Sequence, residues 1–101
     1  MRKAKIVISE NADFDLSEIA DWYNEINKKL IWLFLKDFKK TIKHISENPF
    51  SCEFRYGNFR IAYLKRFPFG IHYQFDENKN MLKIFSVFHT SRNPENWKER
   101  K

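Results

Sequence analysis

The sequence predicts an α+β protein in which a helical hairpin packs on one face of a small, mainly antiparallel sheet. Two observations support this class. Apolar side chains recur every three or four residues between residues 12 and 45, the period of helices that bury one face. From residue 53 onward the apolar residues alternate as in strands, and the connections there are too short for parallel crossovers. The predicted element order is β-α-α-β-β-β.

A strand and a first helix are predicted at the start of the chain. Lys5–Ser9 is short and rich in β-branched residues, as strands are. The polar stretch that follows offers Ser9 or Asn11 as the N-cap of a helix. The inward stripe of that helix consists of Ala12, Leu16, Ile19, Tyr23 and Ile26.

The second predicted helix is longer and has more apolar residues than one buried face needs. It ends near Glu47, because the residue before Pro49 avoids helical backbone angles. Its core stripe is predicted to consist of Ile31, Phe34, Phe38, Ile42 and Ile45. Three further large apolar residues lie off this stripe: Trp32, Leu33 and Leu35. Either the first helix and the sheet cover them, or a partner chain does.

The second half of the chain has strands separated by polar turns. A short strand before Gly57 and a longer one at Phe59–Arg66 form the first hairpin. The next strand alternates, with one face predicted to hold Phe69, Ile71, Tyr73 and Phe75 and the other Gly70, His72 and Gln74. After a polar turn at 76–80, residues 81–89 form the last strand. We expect these strands to form an antiparallel meander.

Length and composition limit the class of protein. The 101 residues suffice for one domain, 1–101, and are too few for two. The single cysteine, Cys52, excludes an internal disulfide and multi-cysteine zinc sites. The longest apolar run has six residues, far fewer than a membrane span needs, and the N-terminus lacks the pattern of a signal peptide. We expect a soluble, cytoplasmic protein.

The net charge of +6 lies almost entirely in the second half of the chain. Residues 1–51 carry nine basic and eight acidic residues, whereas residues 52–101 carry ten basic and five acidic ones. Within the first half, residues 10–25 hold six acids and no base. Such polarity suits an anionic partner, either nucleic acid or an acidic protein segment, or it serves solubility alone.

No pattern in the sequence predicts a metal or cofactor site. Two glycines are too few for a phosphate-binding loop, and the three histidines lack metal-ligand spacing. What remains is a set of basic residues and histidines on the predicted strands and just after them: Arg55, Arg60, Lys65, Arg66, His72, Lys83, His89 and Arg92. If the hairpin covers one face of the sheet, the other face is open to solvent or to a partner. Arginines on that face can bind phosphates, and exposed aromatic residues can stack on bases.

Metal-free RNA cleavage needs only groups of these kinds. A base removes the 2′-OH proton, cations stabilise the charged phosphorane, and an acid protonates the leaving oxygen. His89 can exchange protons near neutral pH, and Arg60 and Arg92 can stabilise the phosphate. These residues can instead have purely structural roles, because a histidine at a strand end often does no more than form a hydrogen bond that stabilises the fold. In the same way, Trp97 can fasten the tail to the core.

Four segments of the chain resemble the RelE/ParE superfamily of type II toxin–antitoxin toxins. In chain order they are ISENADFDLSEIADWY, ISENP, FRIAYLKRFPFGIHYQFD and IFSVFHTSRNPENW. The resemblance covers nearly the whole chain. It implies the fold predicted above and a small bacterial toxin, which an acidic, partly disordered antitoxin wraps and neutralises.

The resemblance leaves two branches of the superfamily open. RelE-like members cleave mRNA on the ribosome without a metal, whereas ParE-like members poison DNA gyrase and lack nuclease activity. The FPFGIHY and HTSRNPENW segments are closer to ParE, and no residue after Tyr73 matches the C-terminal tyrosine frequent in RelE-like nucleases. However, His89 and Arg60 match a histidine and an arginine that some of those nucleases use. A ParE-like toxin, directed at gyrase or otherwise without nuclease activity, is our first prediction. An mRNA endonuclease is the second, and a non-toxic corepressor is the third.

The resemblance divides the candidate residues into three groups. The candidates for catalysis are His89, Arg92 and Arg60, which we expect on one exposed patch away from the helical hairpin. The candidates for binding nucleic acid or the target are Arg55, Lys65, Arg66, Lys83 and Arg100. The candidates for binding the antitoxin are Trp32, Leu33 and Leu35. The expected partners are the antitoxin and either gyrase or the ribosome with mRNA, with DNA contacted only through the antitoxin; no cofactor, metal or membrane is implied.

Overall fold

The computed structural model describes residues 3–91. Its elements are, in chain order, β1 (Lys5–Ile8), α1 (Glu10–Ile26), α2 (Lys28–Glu47), β2 (Phe54–Tyr56), β3 (Phe59–Tyr63), β4 (Phe69–Asp76) and β5 (Met81–His89). The predicted α+β class is confirmed. Four strands follow the helices instead of the three in the predicted order, and the additional one is β2, the short strand expected before Gly57.

The strands of residues 3–91 form one sheet in the order β1-β5-β4-β3-β2. Strands β2 to β5 form the predicted antiparallel meander. At the other edge, β1 pairs in parallel with β5, from Lys5 opposite Met81 to Ile8 opposite Ile84. This parallel pairing needs a long connection, which the hairpin and three strands between β1 and β5 supply.

Two capping residues determine where the helices begin. The Ser9 hydroxyl oxygen accepts a hydrogen bond from the backbone N–H of Ala12 at 3.1 Å and donates to the Phe85 carbonyl at 2.9 Å. The cap of α1 therefore also ties this helix to β5. Asn27 alone separates the helices, and its side-chain oxygen accepts from the backbone N–H of Lys29 at 2.9 Å. So short a connection makes the two helices antiparallel neighbours.

The hydrophobic core lies between the hairpin and the sheet. The ring of Phe34 packs edge-on against Phe67 and Phe69, with centroids 5.5 and 5.6 Å apart. Four of the five stripe residues predicted in α2 are buried: Phe34, Phe38, Ile42 and Ile45. In α1, Ala12, Ile19 and Tyr23 are buried. Ile26 is instead 57% exposed, because it is the last residue of α1, at the tip of the hairpin.

Two buried carboxylates fasten the helices to the sheet. Asp15 of α1 accepts a hydrogen bond from the backbone N–H of Val87 in β5 at 2.9 Å. Asp37 of α2 accepts from the backbone N–H groups of Arg66 at 2.8 Å and Lys65 at 3.4 Å. A buried carboxylate needs such donors to offset its lost hydration. The contact with Asp37 also explains why β3 ends at Tyr63 rather than at Arg66, since these amides turn toward the helix.

The central strand β4 is buried on both faces, although the sequence predicts only one buried face. Its side away from the hairpin includes Gly70 and His72, which are both buried. Tyr56 and Phe88 pack against the His72 ring on that side, with centroids 5.7 and 5.1 Å away. At Gly70 a Cβ atom would lie 2.8 Å from the Cγ2 atom of Ile61, so the close packing there requires glycine. The expectation of an open second face is therefore wrong around His72.

Candidate functional site

Arg60 lies on β3, half-buried against the loop that follows α2. Its guanidinium donates a hydrogen bond to the Cys52 carbonyl and lies 4.0 Å from the ring centroid of Phe54. The ring centroid of Phe50 is 5.3 Å away. These cation–π contacts and the hydrogen bond hold the guanidinium in place. Arg60 therefore positions the loop at residues 50–54 in addition to any ligand contact.

Arg60 and Lys83 line one cavity of about 480 Å³. Lys79 adds a third cation to its lining, and Asp76 and Glu77 add two carboxylates. The remaining lining is mainly aromatic or polar: Phe50, Phe54, Phe75, Asn58, Gln74 and Met81. Cations beside aromatic faces can bind an anionic group together with a planar or apolar one. The structure thus brings together two of the basic residues that the sequence singles out.

His89 ends β5, where it is exposed opposite Phe69 of β4. The backbone N–H of Ser91 donates to its Nδ1 atom at 3.1 Å, and the Ser91 hydroxyl lies 2.8 Å from the same atom. Because Nδ1 accepts a hydrogen bond, the neutral ring carries its proton on Nε2. His89 lines a cavity of about 280 Å³ together with Glu18 and Trp22 of α1. The Nε2–H group is the donor that this ring can offer to a ligand.

Arg60 and His89 lie on strands that are not neighbours, and they are four positions apart along the sheet. Arg60 pairs with Tyr73 across β3 and β4, whereas His89 pairs with Phe69 across β4 and β5. Their partners on β4, Tyr73 and Phe69, are four positions apart, which corresponds to about 13 Å along the strand. His89 also shares its face of the sheet with Phe69, which packs toward the hairpin. The expectation of one patch away from the hairpin is therefore not met by these two residues.

The other basic candidates are spread over the surface. Arg55 in β2, and Lys65 and Arg66 between β3 and β4, are all exposed. Lys65 lines a separate cavity of about 430 Å³ beside α2, and none of the three lines the cavity of Arg60. Arg92 and Arg100, like Trp97, lie outside the described residues. The functional roles of all these residues stay predictions.

His72, which the sequence groups with the basic residues, is neutral and buried. It is 1% exposed, and its Nδ1 atom lies 2.8 Å from the Tyr56 hydroxyl. Burial lowers the pKa of His72 to about 4 and raises the pKa of Tyr56 to about 12. Both side chains are therefore uncharged at pH 7. They form a hydrogen-bonded pair within an aromatic cluster, which is a structural role.

The solvent-facing side of α1 and α2, which we call the hairpin surface, carries several exposed apolar residues. Trp32 is 80% exposed, Leu33 43% and Leu35 39%, so neither α1 nor the sheet covers them. Lys28 and Lys29 flank Trp32 and Leu33 around a shallow cavity of about 340 Å³. The sequence prediction missed three further members of this surface: Phe14, Trp22 and Ile26. The exposure of Phe14 and Trp22 could have been predicted from the sequence, because both lie outside the apolar stripe of α1.

No group of three or more His, Cys, Asp or Glu side chains in residues 3–91 is placed to hold a metal ion. Neither α1 nor α2 has the length and apolar character that a membrane-crossing helix requires.

The family of the chain follows from comparison with known proteins. The family model of the ParE toxin of type II toxin–antitoxin systems, parDE, matches residues 6–94. Among solved structures, the chain is similar to the chromosomal ParDE toxin–antitoxin system from P. aeruginosa. That match has a TM-score of 0.73 and 18% identity, and it covers 86% of this chain and 96% of the other. Among curated protein sequences, none is similar enough to be a match.

A second solved structure has the same fold. The chain is similar to the RelBE2 toxin–antitoxin complex from Mycobacterium tuberculosis, with a TM-score of 0.58 and 14% identity. The match covers 87% of this chain and 99% of the other. At such identities the two structures show a shared fold, whereas the family model, which spans nearly all of the described chain, shows the family. The chain belongs to the family of ParE toxins of type II toxin–antitoxin systems.

Proposed function

We propose that this protein arrests bacterial growth by acting on DNA gyrase and that a cognate antitoxin neutralises it. Membership of the ParE family supports both the toxic role and the antitoxin partner. The choice of gyrase follows from the likeness of the chain to ParE-like members.

The separation of Arg60 from His89 favours action on gyrase over RNA cleavage. Cleavage of one phosphodiester needs the proton-transfer group and the stabilising cation at the same phosphate, each within hydrogen-bond reach of about 3 Å. The backbones of Arg60 and His89 are separated by about 13 Å along β4 and also by two strand spacings of about 4.8 Å across the sheet. The Arg60 guanidinium is moreover engaged with Cys52 and Phe54. These positions suit two binding surfaces better than one nuclease centre.

A ribosome-dependent mRNA endonuclease is the second candidate. The observation in its favour is the cavity beside His89, where the carboxylate of Glu18 shares the lining with the imidazole. A histidine and a carboxylate at one cavity are groups that can serve as general acid and base. This candidate places the chemistry at the α1 end of the sheet, without Arg60.

Brief induction of the protein in a bacterium distinguishes these candidates. Incorporation of labelled thymidine and of labelled amino acids is followed in parallel over the first minutes. We expect thymidine incorporation to fail while translation continues. An immediate stop of translation with cut mRNA would contradict the proposal and establish the endonuclease. Uninterrupted growth would leave only the role of corepressor. A His89→Ala variant serves as the comparison, since only the endonuclease would lose its effect on translation with this change.

We further propose that the antitoxin covers the α2 part of the hairpin surface, at Trp32, Leu33 and Leu35. An acidic amphipathic segment fits there, because the apolar side chains would enter its apolar face and the neighbouring lysines would pair with its acids. Trp32→Glu is expected to weaken the toxin–antitoxin complex by roughly 10- to 100-fold, the range for loss of an aromatic anchor. Isothermal titration with the purified antitoxin, encoded by the adjacent gene, measures this change.

The matched control is Ile6→Glu, an apolar-to-acid change at a half-exposed position of the edge strand β1. It should leave the affinity for the antitoxin within about twofold of the unchanged protein. An unaltered affinity of Trp32→Glu would contradict the proposed surface. Unfolding of Trp32→Glu would contradict it as well, because it would make Trp32 part of the core.

A further inference from the structure

The two helices of the hairpin surface carry opposite charges. α1 has no basic residue, and its exposed acids are Glu10, Asp13, Glu18, Asp21 and Glu25. α2 exposes only basic charges along most of its length: Lys28, Lys29, Lys36, Lys39, Lys40 and Lys43. Its two acids are the buried Asp37 and the C-terminal Glu47. Since the helices are antiparallel neighbours, an acidic ridge lies beside a basic ridge.

These charges are not paired with one another across the hairpin. Within residues 3–91 the one ion pair is Lys3 with Glu47 at 3.6 Å, which lies at the far end of α2. The exposed acids of α1 and the exposed lysines of α2 are therefore available to a partner. A partner that complements the whole surface must offer a basic ridge to α1 and an acidic ridge to α2.

Exposed apolar side chains lie among these charges. On α2, Trp32 stands one helical turn from both Lys28 and Lys36, and on α1, Phe14 stands one turn from Glu18. Phe14 is 58% exposed and Trp32 80% exposed. Exposed aromatic residues rimmed by charges are typical of a protein–protein interface. The surface therefore combines apolar anchors with charges that can select the partner.

We infer that the free toxin associates with a second copy of itself through the hairpin surface, with α1 of each copy against α2 of the other. A twofold axis makes each contact occur twice, so both acidic ridges meet lysines and both basic ridges meet acids. An acidic antitoxin complements α2 alone, whereas a second copy complements both helices. The dimer and the antitoxin then compete for Trp32. This inference concerns the protein without antitoxin and goes beyond the function proposed above.

Charge reversal on one helix at a time tests the inference by sedimentation equilibrium of the purified full chain. The twofold axis runs along the hairpin, so Glu18 faces Lys36 of the other copy and Glu25 faces its Lys29. The acid-reversed variant is therefore Glu18→Lys with Glu25→Lys, and the base-reversed variant is Lys29→Glu with Lys36→Glu. Each variant alone should dimerise at least about tenfold more weakly than the unchanged chain, because like charges then face each other. An equimolar mixture of the two should recover the dimer, since each reversed helix meets a complementary one. Added salt should weaken the unchanged dimer.

The matched control is Lys79→Glu with Lys83→Glu, which changes the net charge as much as the base-reversed variant does but alters the sheet side of the molecule. It should dimerise like the unchanged chain. A monomer at every accessible concentration would overturn the inference. So would a mixture that stays monomeric although both variants keep a native circular dichroism spectrum, or variants that dimerise as tightly as the unchanged chain. The incorporation experiment is independent of these results, so the proposed toxic function stands or falls separately.

Discussion

Replacing Phe34 with alanine is expected to lower the free energy of unfolding by roughly 3–5 kcal/mol. Phe34 is 1% exposed, and its ring lies against Phe67 and Phe69 of the sheet side and stacks on Phe38 at 6.2 Å. Removing the ring leaves a cavity between α2 and the sheet, which close-packed neighbours fill only in part. Urea denaturation followed by circular dichroism measures the loss.

The control is Trp32→Ala, two residues earlier in the same helix. Trp32 is 80% exposed, so its removal should change the free energy of unfolding by no more than about 0.5 kcal/mol. The pair of variants separates the buried face of α2 from the hairpin surface. Equal losses in the two variants would contradict this division of the helix.

Acid is expected to destabilise the protein through His72. Its pKa is about 4 in the folded protein, below the ordinary value of 6.5. The unfolded chain therefore binds this proton more tightly than the folded chain does. Above pH 6.5, His72 is neutral in both the folded and the unfolded chain, so it causes no loss of stability. As the pH falls from 6.5 toward 4, the free energy of unfolding decreases progressively, because only the unfolded chain takes up the proton. Since one pKa unit corresponds to about 1.4 kcal/mol, the full loss amounts to roughly 3 kcal/mol.

Urea denaturation at a series of pH values between 7 and 4 measures this loss, with His72→Gln as the comparison. Glutamine can still accept a hydrogen bond from Tyr56 but does not titrate. The carboxylates contribute equally to both proteins, so the difference between the two curves isolates His72. We expect the unchanged protein to lose more stability than the variant below pH 6.5. Parallel curves would contradict the assignment of a buried neutral histidine.

The sequence predicted the helices in more detail than the sheet. The spacing of Phe34, Phe38, Ile42 and Ile45 was sufficient, because helical geometry alone decides which side chains share a face. The end of β3 depended instead on Asp37, which lies 28 residues before Lys65 in the chain and accepts its amide. Such a contact forms only when distant segments meet, so local patterns carry no signal for it.

The candidate site was predicted less well for the same reason. His72 was grouped with cations, whereas its charge depends on Tyr56 and Phe88, which enclose it from two other strands. The distance between Arg60 and His89 depends on the register of three strands, which residue types do not determine. By contrast, the exposure of Trp32 followed from its place off the apolar stripe, a property of the helix itself.

Assays of the purified protein against DNA gyrase and against translating ribosomes distinguish a gyrase poison from an mRNA endonuclease. Supercoiling of a relaxed plasmid by gyrase is measured beside translation of a defined mRNA, whose ends are mapped by primer extension. We expect the protein to inhibit gyrase while the mRNA stays intact. Arg60 and His89 are then parts of separate binding surfaces. Cleavage of the mRNA on the ribosome with gyrase unaffected would contradict the proposed action on gyrase and make the cavity beside His89 a nuclease site.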